Sequence, residues 1–384
     1  MADRITNTFS VGTEGLEETT LTGGSPTVDT TKLRNGRPTL LLAGAASSAA
    51  IAFPLVPHLA SFGNDLLVSF YVCFTDVTPG TGWVFWQARE SGGGDTAISL
   101  ALTAAGALAI LDDADGAVAS TSTPGFVADR FHLVQIRFTE SATGDAKVWV
   151  DREEKMTATG EDFLASSPID EFVLSGGIAD SGDVNFSDCV VQTGVTSDAE
   201  RWDHHELVYV QNDKGATATP DAGLTGSAAS DLDTGTWNLV GETPLDNSAG
   251  NVGIYGSAGQ GTVDLPAPLG SGLFAADDEI VAMKSIFNAK RTGGPSSTHS
   301  GGMGDSDDGD SAPTREFILL NGTYANYIIF RDTVLPTATQ KVRQGFATDG
   351  NQDFDCGEMW AVLLRVPHTT PPPHKRRPST LLRM

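Results

Sequence analysis

Residues 131–151, FHLVQIRFTESATGDAKVWVD, set the architecture of this chain. Val134, Ile136 and Phe138 fall on one face of an alternating run, and Val148 and Val150 on one face of a second. A strand turns successive side chains to opposite sides, so a period of two gives each run one buried face. Between them, Thr-Glu-Ser-Ala-Thr-Gly-Asp supplies turn chemistry, with a glycine able to take positive φ. The stretch predicts a β-hairpin lying on a core. It holds no evident nucleophile, metal-ligand set or phosphate loop.

On either side of the hairpin, short apolar runs of the same kind recur between Gly, Asp, Ser, Thr and Pro clusters, and no sustained helical stripe with caps is found. The clearer strands are 66–74 (LLVSFYVCF), 82–87, 97–102, 107–111, 131–138, 146–151, 171–175 and 184–193. GALAILDDADG closes a further hairpin through Asp112–Gly116. Number and spacing suit a jelly-roll-like β-sandwich over residues 1–198. From about Ser197 the texture changes, and 199–236 reads as an irregular connector along a domain surface, with one strand candidate, ELVYV. A second β-sandwich is expected over 237–366, with strands near 252–256, 278–288, 315–320, 324–330 and 358–366. GGPSSTHSGGMGDSDDGDSAPT interrupts it as a flexible polar loop. Residues 367–384 form a Pro-rich basic arm whose three consecutive prolines favour polyproline II. The fold class is therefore all-β: two sandwich domains, an irregular connecting segment and an extended C-terminal arm.

Composition narrows the function. The 384 residues carry 24 Lys plus Arg against 49 Asp plus Glu, a formal charge of −25. Phosphate neutralisation needs clustered Lys and Arg, so nucleic acid is not expected as a partner of the folded body. So acidic a surface also repels anionic membranes. The three cysteines, Cys73, Cys189 and Cys356, are far apart and show no metal spacing; they read as buried, reduced thiols. MADRITNTFSVGTEG lacks the layout of a signal peptide. Residues 38–64 carry no Asp, Glu, Lys or Arg, but Ser47, Ser48, Pro54 and Pro57 interrupt the run. They read as two short buried strands, around 39–43 and 50–55, joined by a small-residue turn, rather than a membrane span.

ITNTFSVGTEG, NDLLVSFYVCF, GALAILDD, FHLVQIRF…GDAKVWVD and NFSDCVV together resemble a LamG-like (concanavalin A-like) jelly roll. The positions carrying the resemblance are His132, Ile136, Gly144, Trp149, Asp151, Phe186 and Asp188. HELVYVQNDKG, TWNLVGETPLDNSAGNVG, DEIVAMKSIFNAKRTGG and GEMWAVLLRVP resemble the second half of tailed-bacteriophage virion proteins that pair such a domain with a further β module. Residues 1–366 are covered in consistent order, and PPPHKRRPSTLLRM departs from the pattern. The resemblance implies a phage structural protein of the tail or its fibres, located in the virion. Expected partners are other virion proteins and copies of itself, with a host glycan or receptor as a further candidate. Capsid decoration and a carbohydrate-binding module are the alternatives.

Candidate sites are few, and no catalytic residue, cofactor or metal is expected. A sandwich glycosidase needs paired carboxylates on one strand face. DREEK (151–155) places its charges in a turn, and in IDEF (169–172) Asp170 and Glu171 are adjacent and so face opposite ways. DDADG (112–116) and DSDDGD (305–310) are acidic loops; in the latter Gly309 falls at the wrong place for a calcium loop, and they read as solvated turns. His204 and His205 have no further ligand nearby in sequence and read as a domain junction or as exposed residues. In GWVFWQARE, Trp83 and Phe85 share one face and Trp86 opposes them, so one face packs in the core and the other is a candidate partner or glycan contact. Lys375, Arg376, Arg377 and Arg383 are the only charges of 368–384, leaving the body 20 basic and 49 acidic residues, or −29. At about 3.1 Å per residue the arm reaches on the order of 50 Å, enough to tether a neighbouring copy.

Overall fold

In the computed structural model, backbone and side chains are described for most of residues 27–207, with breaks at 36–37, 44–63, 91–93, 167–168, 170 and 177–181. The other described parts are mainly strand backbones, with side chains at 279–281 and 362–366. In chain order the first strands are β1 (Arg4–Asn7), β2 (Thr20–Thr22), β3 (Thr27–Arg34), β4 (Arg37–Leu42), β5 (Ala50–Ala52), β6 (Asp65–Phe74), β7 (Trp83–Arg89) and β8 (Thr96–Leu102). Then come β9 (Leu108–Leu111), β10 (Ala117–Thr121), β11 (His132–Thr139), β12 (Gly144–Val150), β13 (Glu153–Glu161), β14 (Glu171–Leu174), β15 (Val184–Thr193) and β16 (Glu206–Gln211). The remainder are β17 (Thr219–Pro220), β18 (Gly253–Tyr255), β19 (Gly259–Asp264), β20 (Glu279–Arg291), β21 (His299–Asp305), β22 (Thr314–Ile318), β23 (Ala325–Arg331), β24 (Val342–Thr348) and β25 (Phe354–Val366).

The protein is all-β. One eight-stranded sheet runs β13-β12-β11-β6-β15-β4-β3, with β1 also paired to β15; a five-stranded sheet runs β10-β9-β8-β7-β14. Their inward faces share one core. Val68, Phe70, Val72 and Phe74 of β6 face Phe85, Trp86, Leu100, Ile110 and Phe172 of the opposite sheet. Aromatic edges bridge the layers: Phe74 meets Phe85 at 5.3 Å and Trp83 at 5.7 Å, and Trp86 meets Phe138 at 6.1 Å.

The hairpin of 131–151 lies at the centre of this arrangement. Val134 pairs with Val150, Ile136 with Val148 and Phe138 with Ala146, all pointing into the core. At roughly 1.5–3 kcal/mol for each large apolar side chain removed from water, this face outweighs anything the turn contributes. A one-residue slip would turn it outward, so the core sets the register. A second, tighter hairpin follows. Asp151 and Arg152 alone separate β12 from β13, with φ of 49° and 78°, the backbone of a type I′ turn. DREEK therefore holds a two-residue turn and the start of a strand, rather than one acidic turn.

Two of the bulges matter for the residues singled out above. In β7, Val84 pairs with Ala101 and Trp86 with Leu100, so Phe85 is an extra residue. In β15, Ser187 pairs with Tyr71 and Val190 with Ser69, placing Asp188 and Cys189 opposite Phe70 alone. Asp188 there has φ 46°, a left-handed conformation that Asp tolerates better than most side chains.

The strand expected at 39–43 is present within β4, and β5 (Ala50–Ala52) covers the first part of the one expected at 50–55, whose residues 53–55 lie outside the described residues; among the described pairings the two do not meet. β4 joins β15 and β3, and β5 joins β2. Pairing with β15 sets Leu40 opposite Phe186 and Leu42 opposite Val184, and both leucines are buried. Beyond the sandwich, β16-β25-β20-β23 form a sheet to which β18 adds at β25, and β17-β19-β24-β21-β22 form another. β21 lies within the stretch expected to be a flexible polar loop. Gly301 and Gly302 pair on both sides, with β22 and β24; with so few side chains, backbone pairing is all that marks it as a strand. ELVYV, expected within the connector, is β16 and pairs with β25 along its whole length.

Candidate functional site

The loops joining β6 to β7, β8 to β9 and β10 to β11 gather at one end of the sandwich, beside the start of β13. They enclose a cleft of about 520 Å³. Its walls carry the hydroxyls of Thr78, Ser122 and Thr123, and the charged ends of Glu153 and Lys155. The Lys155 ammonium donates to Glu153 Oε2 at 2.7 Å, and the lysine side chain is only 12% exposed. Phe126 is buried beneath, edge-on to Phe74 at 5.0 Å and to His132 at 5.5 Å.

Local chemistry holds these walls in place. His132 is buried; its Nε2 accepts the Val127 N–H at 2.9 Å and its Nδ1 lies 2.7 Å from Asp151 Oδ2. The Asp151 Oδ1 atom accepts the Leu133 N–H at 3.0 Å. Burial alone would raise the Asp151 pKa, but these hydrogen bonds hold it below the usual carboxylate range. On the opposite wall Gly106 has φ 78°, and a Cβ there would lie 2.5 Å from the Val77 carbonyl oxygen. Only glycine lets the β6–β7 and β8–β9 loops approach this closely.

A second polar cluster lies on the outer face of the eight-stranded sheet, where residues 196–207 cross β12, β11, β6 and β15. Gln135 donates to the Trp202 carbonyl at 3.0 Å, and Arg201 donates to Gln135 Oε1 at 2.8 Å while stacking 4.8 Å over Trp149. Lys147 pairs with Asp198 at 2.7 Å. Deeper, the buried Arg34 guanidinium pairs with Asp188 and lies 3.3 Å over the Tyr71 ring. Asp188 Oδ2 also accepts the Leu207 N–H at 3.3 Å, and its carbonyl accepts from His205 Nε2 at 2.9 Å. Burial pushes the His205 pKa down to about 3 and the Tyr71 pKa up to about 12. Glu206 pairs with Arg365 of β25 and accepts from Asn35. The cluster fastens the sandwich to the β16–β25 sheet.

The sequence candidates fall as follows. Trp83, Phe85 and Trp86 are all buried, at 7%, 0% and 0% exposure, so none offers a surface for a partner or a glycan. The bulge at Phe85 is the reason: it turns Trp86 back onto the core face, where it stacks on Phe172 at 5.8 Å and 19°. Glu171 is also buried and pairs with Arg89 at 3.0 Å, directly across from it on β7. Asp112 accepts from the Ala114 and Gly116 N–H groups and so closes its own hairpin turn. His205 is a junction residue, and His204 is 2.6 Å from the Tyr71 hydroxyl. Cys73 and Cys189 are buried thiols that form no disulfide with each other, and burial pushes the Cys73 thiol up to about 11.

Asp170, residues 306–310, the side chain of Cys356, most of 212–252, and the arm with Lys375, Arg376, Arg377 and Arg383 lie outside the described residues. The sequence reading missed the rim cleft. Its residues come from four separate segments, and the available signal was the turn-rich TSTPGF of 121–126 lying between two strands.

No protein-family model matches the chain, and no curated protein matches it. Among solved structures it is similar to "Cellulose induced protein, Cip1", with 16% identity over 45% of this chain and 87% of that one, TM-score 0.35. It is also similar to the receptor binding domain of botulinum neurotoxin C/D mosaic serotype, with 12% identity, 68% and 70% coverage and TM-score 0.37. A third is endo-beta-1,4-glucuronan lyase from the fungus Trichoderma reesei, with 12% identity, 49% and 94% coverage and TM-score 0.37. Each is a similarity of chain trace at low identity.

Proposed function

We propose that this chain is a non-enzymatic structural protein of a tailed-bacteriophage virion, of the tail or its fibres, which presents a rigid surface for assembly or host recognition. One observation carries the reading. The buried ionisable side chains described in the sandwich and at its junction are tied to fixed partners: Arg34 to Asp188, His132 to Asp151, Glu171 to Arg89, Glu206 to Arg365, and His205 to the Asp188 carbonyl. Groups used in this way hold elements together across 17 to 159 residues of chain. Acid–base catalysis instead requires a titrating group free to meet a substrate in an open cleft, and in the rim cleft the Glu153 carboxylate is bonded to Lys155. The motif order along residues 1–366 supplies the phage half of the reading. In such a particle the chain contacts other virion proteins and copies of itself.

The test is location. Particles of the phage that encodes the chain are labelled with a Fab raised against the purified protein and imaged. Label on the tail or its fibres is expected. Label spread over the head would replace this reading with capsid decoration, and unlabelled particles that lack the protein by mass spectrometry would overturn both.

A further inference from the structure

We propose that Asn35 is a site of spontaneous deamidation, and that the carboxylate it becomes loosens the joint between the sandwich and the β16–β25 sheet. This goes beyond the virion reading and does not rest on it. Asn35 and Asn321 are the asparagines of this chain that glycine follows. Asn35 and Gly36 alone separate β3 from β4, where Arg34 pairs with Arg37, and Asn35 has φ 50°. Asn-Gly is a pair that two-residue hairpin turns favour. It is also the pair in which the nitrogen after asparagine meets least hindrance, because glycine has no Cβ. Asn35 is exposed, so water reaches it.

The reaction needs water and no other reagent. The Gly36 nitrogen attacks Cγ of Asn35; the new C–N bond closes a cyclic imide, and the Cγ–Nδ2 bond breaks. Nδ2 departs as ammonia, with the proton that the Gly36 nitrogen gives up. One water then opens the imide. Opening at Cγ leaves aspartate, and opening at the Asn35 backbone carbonyl leaves isoaspartate, in which the chain runs through the side-chain carbon. Either product carries a carboxyl group that is ionised at neutral pH.

The place of Asn35 in the fold gives this change a consequence. Its Nδ2 donates to Oε1 of Glu206, the first residue of β16. Glu206 is buried; its Oε2 accepts from Arg365 of β25, and His204 Nε2 lies 3.6 Å from Oε1. A carboxylate in place of the amide has no hydrogen to offer Oε1. It also sets a second negative charge against that of Glu206, and like charges in contact repel. Arg34, the residue before Asn35, is already paired with Asp188. Separation of the β3–β4 turn from β16 relieves the repulsion. Asn35, Glu206 and Arg365 all lie outside the hydrophobic core, so the core strands keep their packing.

The purified full-length chain is kept in warm, mildly alkaline buffer, sampled over weeks, digested and mapped by mass spectrometry. The peptide holding Asn35 should gain the mass difference between water and ammonia. It should do so at least about tenfold faster than peptides holding Asn64 or Asn185, whose next residues, Asp65 and Phe186, carry side chains. Amide hydrogen exchange then compares the fresh chain, the deamidated fraction of the aged chain, and Asn35→Asp, a substitution that tolerates φ 50°. Amides of β16 and of residues 360–366 should exchange about tenfold faster in the last two, the effect of losing one hydrogen bond to a charged group. Those of β6 and β11 should exchange as in the fresh chain. Asn35 that converts no faster than Asn64, β16 amides unchanged by deamidation, or an acceleration shared equally by β6 and β11 would each overturn the inference. The aged chain folds before it is modified, so its exchange decides the matter even where Asn35→Asp fails to fold.

Discussion

Nδ1 of His132, at the first residue of β11, lies 2.7 Å from Oδ2 of Asp151, the first residue of the turn after β12. The Val127 N–H donates to Nε2, so Nδ1 carries the proton and donates to the carboxylate. Asp151 thus needs two acceptor oxygens, one for His132 and one for the Leu133 N–H. Asparagine suits the left-handed φ of 49° but has only one oxygen. Asp151→Asn should therefore cost about 1–2 kcal/mol, and Asp151→Ala more, because it also loses the turn preference. Denaturant unfolding followed by tryptophan fluorescence measures both, since Trp83, Trp86 and Trp149 are buried.

The Arg34–Asp188 pair makes a sharper prediction. Arg34→Met leaves a carboxylate at 1% exposure without its guanidinium, and breaking a buried pair in this way costs about 3–5 kcal/mol. Adding Asp188→Asn removes the stranded charge, keeps an acceptor for the Leu207 N–H and suits the φ of 46°. The double variant should be more stable than Arg34→Met alone. A double variant no more stable than that would show that the charge of Asp188 is not what Arg34 answers.

His205 ties stability to pH. An unfolded imidazole takes its proton near pH 6.5, whereas the buried one resists it until about 3. Between those values the unfolded state binds more protons, so stability is complete above pH 6.5 and falls as the pH drops toward 3, by roughly a few kcal/mol in all. Asp29 adds a second loss at lower pH. Burial raises its pKa, but hydrogen bonds from Thr31, Lys32 and Asn185 prevail and hold it at about 2. Its contribution disappears as the pH falls from about 4 to 2. His205→Gln should flatten the pH dependence of the unfolding midpoint between about 6.5 and 4.5, where Asp29 remains ionised. An unchanged slope would remove His205 as its origin.

Trp86 is the test of the corrected aromatic cluster. Trp86→Ala should destabilise by about 3–5 kcal/mol, as expected for emptying a fully packed aromatic site. Trp86→Phe should cost much less than its lost volume suggests, because the Trp86 Nε1–H meets no acceptor among the described residues and its removal relieves a buried donor. Thermal unfolding of the two variants separates these outcomes, and a Trp86→Ala effect below about 1 kcal/mol would contradict the burial.

The all-β class, the hairpin of 131–151 and most of the strands were already written in the residues. Alternation at a period of two is a local consequence of backbone dihedrals, and HLVQIRF and AKVWV display it openly. Where side chains are small or polar the same geometry leaves no mark, which is why EEKMTATGE of β13 and HSGGMGD of β21 were not legible as strands. Which face Trp86 occupies, and where Asp188 points, came from the assembled sheets alone. A bulge is an inequality between two strands, and neither strand records it by itself. The junction and the rim cleft were hidden for the same reason. Arg34 meets Asp188 across 154 residues, and Thr78, Ser122 and Lys155 share one rim although they lie in three separate parts of the chain. Such meetings depend on strand order and register, which long-range pairing sets and no local pattern encodes.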